Sequence, residues 1–130
     1  MIRANKWKGR TLLIYCVTLL GLGLAPGGAA AHSRLTKSEP AAREVVAQAP
    51  KELKLWFNEA VEPAFAKISI APAEGPQIPL TSRGDISDKK LLVVTMPDNV
   101  PAGPVVIKFH VLSVDGHTIE DKLSFTVKPQ

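Results

Sequence analysis

The stretch GPVVIKFHVLS, residues 103–113, decides the fold. Val105, Ile107, Phe109 and Val111 occupy every second position, so in an extended chain they all point one way. A helix would scatter them around its circumference. The segment therefore predicts a β-strand with one face against a core.

Working outward, the same period recurs. KLSFTV (122–127) sends Leu123, Phe125 and Val127 inward, and ELKLWF (52–57) does the same with Leu53, Leu55 and Phe57. FAKISI (65–70) also alternates, but Phe65, Ile68 and Ile70 cannot share one face, which predicts a bulge near Lys67. QIPL (77–80) is short and contains Pro79, which suits an edge strand. KLLVVTM (90–96) is a continuous apolar run stopped by Pro97, and RLTKS (34–38) is a short first strand ended by Pro40. Seven strands at roughly ten-residue spacing, with turn residues between them, predict an all-β antiparallel sandwich or barrel. Its core would be led by Leu53, Leu55, Phe57, Ile68, Ile70, Val93, Ile107, Phe109 and Phe125. EPAAREVVAQA (39–49) has room for one helical turn, and the chain after Val127 is expected to fray. No internal repeat or low-complexity segment interrupts the pattern.

The N-terminus is of another kind. MIRANKWKGR is basic, and TLLIYCVTLLGLGLAPGGAAA follows it. The apolar run Leu12 to Leu24 has the length of a signal-peptide core and is short for a membrane span. Ala29 and Ala31 supply the small residues that signal peptidase requires. These features predict a cleaved signal peptide at 1–31, an exported domain at 32–130, and no stable membrane insertion after cleavage; an uncleaved signal anchor is the rival. Lipidation at Cys16 is disfavoured by the bulky Tyr15 before it and the apolar run beyond it. Cys16 is the one cysteine of the chain, so the exported domain has no disulfide and no thiolate.

Charge excludes a further class. The net charge is +4 over 130 residues, but Arg3, Lys6, Lys8 and Arg10 lie in the signal segment, which carries no acid. The exported domain then has 16 − 4 = 12 basic residues against 12 acidic ones, and is formally neutral. It lacks the basic face that nucleic-acid binding needs.

Candidate chemistry concentrates in SVDGHTIED (113–121). Asp115 and His117 are separated by one residue, so in extended chain they fall on one side, with Gly116 free to adopt an unusual turn between them. By itself a D-G pair more often marks a tight turn with a solvated histidine. Two donors do not complete a metal site. Processing after Ala31 would add two more, because His32 would then carry a free α-amine, with an ordinary pKa of about 8, beside its own imidazole. His32, Asp115 and His117 together offer three nitrogens and one oxygen, a set that suits tetragonal Cu(II). Zn(II) would accept similar donors in a tetrahedron, with lower affinity. His110 lies on the strand face opposite Phe109 and reads as a surface residue. Glu59 in FNEAV reads, from pattern alone, as an exposed acid at a strand end. No nucleophile elbow, HExxH motif or glycine-rich phosphate loop is present, so the chain is not expected to be an enzyme.

These residues together resemble the CopC/PcoC-type periplasmic copper-resistance proteins over nearly the whole exported domain. LTKSEPAAREVV is similar to that family's L-x-x-S-x-P-A opening, PKELKLWFNEAV to its P-x-x-[VIL]-x-L-x-F-[ST]-E segment, and the stretch from Pro101 to Val127 to its closing S-x-D-x-H and final strand. The resemblance implies a seven-stranded Greek-key immunoglobulin-like β-sandwich. It implies one Cu(II) per chain held by the N-terminal histidine and the later D-x-H, here His32, Asp115 and His117. The family's glutamate falls on Glu59, a secondary candidate for the metal. It further implies a periplasmic monomer in copper homeostasis, handing copper to an inner-membrane transporter of the CopD type. Three departures stand out. Many members carry a methionine-rich Cu(I) loop, whereas only Met96 remains here after the signal, so no Cu(I) site is expected. Thr118 and Asp121 replace the usual proline and glycine after the histidine, and Phe109 replaces a common tryptophan. Two other functions fit a β-sandwich with a histidine at its start: a copper oxidase or monooxygenase, and a metal-free immunoglobulin-like interaction module. Peroxide production from ascorbate and O₂ would identify the first, and thermal stability indifferent to Cu(II) the second.

Overall fold

A computed structural model describes residues 33–130; the expected signal peptide, Cys16 and His32 lie outside the described residues. Nine strands occur among them: β1 Leu35–Glu39, β2 Val45–Val46, β3 Glu52–Phe57, β4 Lys67–Ile70, β5 Ile78–Leu80, β6 Ser82–Gly84, β7 Leu91–Thr95, β8 Gly103–Leu112 and β9 Thr118–Val127. They form two sheets, one ordered β1-β3-β7-β6 and the other β2-β9-β8-β4-β5. The chain crosses between sheets after β1, β2, β3, β5 and β7, so strands adjacent in sequence often belong to opposite layers, as in a Greek-key sandwich.

The seven expected strands are all present, and β2 and β6 are additional. The alternation in β8 has the predicted effect: Val105, Ile107, Phe109 and Val111 are all buried. They meet Leu53, Leu55 and Phe57 of β3, which come from the other sheet. Phe57 and Phe109 pack edge-to-face across the interior, with ring centroids 5.9 Å apart; that geometry sets the positive ring edge against the negative face. Met96 and Leu123 join the same core.

Val93 is buried as expected, at 4% exposure, though it stands outside the main core cluster, and three other expectations need correction. Leu92 and Val94 take the inward positions, leaving Val93 on the outer face with Lys54 and Arg83 as its cross-strand neighbours. No bulge occurs near Lys67. Pro63–Phe65 form a 3₁₀ turn instead, and Phe65 leaves the strand with 61% exposure, which removes the conflict of faces. The register irregularity lies in β1, between Leu35 and Lys37. Residues 39–49 hold no helix: Arg43 turns the backbone at φ +63° and donates its N–H to Ser124, and β2 pairs in parallel with β9. The chain beyond Val127 is also held, with Lys128 N–H bonded to the Val46 carbonyl at 2.9 Å.

The sheet edges are blunted against pairing with other strands. Pro79 lies in β5, at one edge of the five-stranded sheet. At the other edge β2 covers only Thr126 and Val127. On the earlier part of β9, Asp121 pairs with Phe109 and so occupies an inward position, yet it is exposed, and its carboxylate accepts the Lys122 N–H.

Candidate metal centre

The centre is built on the hairpin joining β8 to β9. Ser113 N–H donates to the His117 carbonyl at 2.8 Å, and Gly116 N–H donates to the Ser113 carbonyl at 3.0 Å. This is a three-residue loop of Val114, Asp115 and Gly116, a turn followed by one residue in left-handed backbone. Gly116 supplies that residue at φ +90°.

The turn is tied down by side chains as well. Ser113 is only 1% exposed, and its hydroxyl donates to Asp115 Oδ1. The same Oδ1 accepts the His117 backbone N–H at 3.0 Å. Asp115 Oδ2 lies 2.9 Å from His117 Nδ1. The predicted pair is therefore assembled, with the imidazole 72% and the carboxylate 37% exposed at the surface.

The electrostatics follow from these bonds. The Ser113 hydroxyl, then the His117 amide and ring, and then Glu59 hold the Asp115 carboxyl well below the usual carboxylate range. The hydrogen bond and charge of Asp115 hold His117 above its ordinary value, and Glu59 adds to this. Because Nδ1 faces Asp115, a neutral His117 ring carries its free lone pair on Nε2, the nitrogen available to a metal.

Glu59 stands at the same end of the sandwich, and its Oε2 accepts the Ser33 hydroxyl at 3.2 Å. Ser33 is the residue after His32 and the first of the described residues. His110 is separate: it lies on the outer face of β8, paired with Lys67 and Glu120. Among the described residues no cluster of three or more His, Cys, Asp and Glu side chains is arranged to hold a metal. The corner presents Asp115, His117 and Glu59, and any further donor comes from outside those residues. Sequence reasoning passed over Ser113, Ser33 and Asn58, which hold the corner together; isolated hydroxyl and amide residues are too common in loops to signal such a role.

Comparison with known proteins agrees with this architecture. The CopC domain profile matches residues 35–128. Protein YobA of Escherichia coli K12 is 33% identical over 117 residues, spanning 89% of this chain and 94% of that protein. The crystal structure of CopC from Methylosinus trichosporium OB3b superposes with a TM-score of 0.70 at 39% identity, covering 76% of this chain and 96% of that one. PcoC from Escherichia coli, described as a methionine-rich copper resistance protein, superposes with a TM-score of 0.59 at 29% identity, covering 75% and 100%. A two-sheet β fold ending in an S-x-D-x-H hairpin, matched along nearly all its described length, places this chain in the CopC domain family.

Proposed function

We propose that the processed chain is a periplasmic Cu(II)-binding protein of copper resistance and homeostasis, and not an enzyme, holding one ion per chain. The observation that carries this is the Asp115–His117 pair, preassembled at 2.9 Å beside the start of the exported domain. Three lone-pair positions of the Asp115 carboxylate accept bonds from Ser113 and His117. His117 would contribute Nε2, and signal cleavage after Ala31 would give His32 its amine and imidazole. Asp115 and Glu59 together balance the two charges of Cu(II). Nitrogen donors with one carboxylate favour Cu(II) by both ligand type and the Irving–Williams order.

Cu(I) has little to bind. Met96, the one methionine after the signal segment, is 4% exposed and packed in the core, so it offers no surface thioether. PcoC, by contrast, is called methionine rich. A single hard site suits capture and delivery, and an inner-membrane transporter of the CopD type is the receiver that fits. No helix among the described residues is long and apolar enough to cross a membrane.

The test compares the protein beginning at His32, its start verified by intact mass, with a form carrying Gly-Ser before His32. Competition titration and Cu(II) EPR should show binding weakened by orders of magnitude and fewer nitrogen couplings in the extended form. Equal affinity in the two forms would remove the amine from the site.

A further inference from the structure

The first described residues are gripped by the two residues that follow β3. Arg34 N–H donates to Asn58 Oδ1 at 2.7 Å, and Asn58 N–H donates back to the Arg34 carbonyl at 3.0 Å. One residue further along both segments, the Ser33 hydroxyl donates to Glu59 Oε2 at 3.2 Å. Ser33 Oγ also lies 3.5 Å from the oxygen of Ser113, the buried hydroxyl that holds Asp115.

These contacts have a direction. The pair of bonds at Arg34 fixes the backbone, and the bond at Ser33 turns the next residue towards the β8–β9 hairpin. A terminal segment normally frays unless tied down, and ordering it at the moment of binding subtracts from affinity. Here the fold orders Ser33 and Arg34 in advance. Glu59 is engaged in this arrangement, its Oε2 holding Ser33 and with it the chain start. Its charge still acts on His117 from where it stands.

We propose that Asn58 and Glu59 form a clamp on Ser33 and Arg34 that presents His32 to the Asp115–His117 pair. Glu59 is then a positioning residue and not a ligand. This rests on the Cu(II) site proposed above and assigns how that site is assembled.

The experiment uses the processed protein with Ser33→Ala, Ser33→Thr, Glu59→Gln and the Ser33→Ala/Glu59→Gln pair. Cu(II) affinity should fall about tenfold in Ser33→Ala and in Glu59→Gln, matching the loss of one hydrogen bond to a charged group. The two losses should not add in the pair, because both changes act on one contact. Ser33→Thr, which keeps the hydroxyl, should retain wild-type affinity. At saturating copper the EPR spectrum of every variant should equal that of the wild type, since the ligands are unchanged. Without copper, exchange of the Arg34 amide should quicken in Ser33→Ala and Glu59→Gln while the melting temperature holds. An altered EPR spectrum in Glu59→Gln would make Glu59 a ligand and overturn the assignment. Wild-type affinity in Ser33→Ala would overturn the clamp while leaving the Cu(II) site standing. A wild-type protein that binds no Cu(II) would remove the site itself, and the clamp's role with it.

Discussion

Gly116 allows the turn to be tested apart from the ligands it carries. Its φ of +90° is one that L side chains rarely adopt, and nothing lies within 4 Å of where a Cβ would stand. Gly116→Ala therefore introduces no clash, only the backbone penalty of left-handed geometry, about 1–2 kcal/mol. Part of that is offset because alanine also restricts the unfolded chain. In a domain of about 100 residues each kcal/mol shifts the melting temperature by about 4–8 °C, so the copper-free protein should melt about 4–16 °C lower. Gly75, in the loop between β4 and β5, makes a matched control, with φ +96° and open space at its Cβ position. Gly75→Ala should lower the melting temperature by a similar amount. The two variants should part company with copper. Gly116 closes the loop from which Asp115 and His117 project, so relaxing its φ moves one against the other and weakens Cu(II) binding several-fold. Gly75→Ala should bind as the wild type does. Calorimetry and competition titration on the same samples decide it. If Gly116→Ala melts with the wild type, the turn is not held in left-handed geometry. If both variants weaken copper equally, the effect is global and the hairpin does not build the pair.

Proton and copper compete for His117, whose affinity for a proton is raised by Asp115; Cu(II) affinity should fall about tenfold per pH unit for each proton displaced as pH drops below that raised value, and NMR titration of Asp115→Asn should bring His117 back towards its ordinary midpoint. The pair also marks the stability of the copper-free protein. The contribution of His117 is full below 6.5 and is lost as pH rises through its higher folded value, and that of Asp115 is present above 3.8 and lost as pH falls through its lower one; melting curves should show the pair's contribution greatest between those values and absent in Asp115→Asn. Phe109→Ala removes the partner of Phe57 from the centre of the core and should cost about 3–5 kcal/mol in urea denaturation, with the copper-bound form still melting above the copper-free one. Asp121→Val replaces an inward-pointing edge charge by an apolar residue and should bring concentration-dependent association in size-exclusion chromatography, where the wild type stays monomeric.

What could be read from the chain was whatever one residue's neighbours in sequence determine. Period-two alternation marked the long strands because each buries its own stripe. β2 and β6 escaped because they are too short to alternate. β2 exists because the turn at Arg43 lays two residues along β9. β6 is Ser-Arg-Gly, with no apolar signal, and Gly84 is required by a neighbour remote in sequence: a Cβ there would stand 2.6 Å from Pro63 Cγ. The start of β9 at Thr118 was hidden by the charged run Glu120-Asp121-Lys122, which the sheet tolerates because that edge faces water. Asp115 and His117 were legible because a carboxylate and an imidazole two apart converge wherever the chain is extended. Glu59 could be named only through resemblance, since its partners lie 26 and more residues away.

Yet the site obeys the same rule as the core. Along β8 the inward positions run Val105, Ile107, Phe109, Val111, and the next in parity is Ser113, buried like the rest but carrying a hydroxyl. Along β3 they run Leu53, Leu55, Phe57, and the next is Glu59. These strands belong to opposite sheets and face each other through Phe57 and Phe109. Two residues beyond Phe57, and four beyond Phe109, their continuations meet again, with Ser33 bonded to Glu59 and lying against Ser113. The proposed metal corner is thus the end of the hydrophobic core, where the apolar series on both sheets gives way to groups that can hold a charge. The buried hydroxyl there donates to a group arriving from the hairpin, and Asp115 is that group. The packing that fixes the sandwich also fixes the carboxylate, and through it the imidazole of His117.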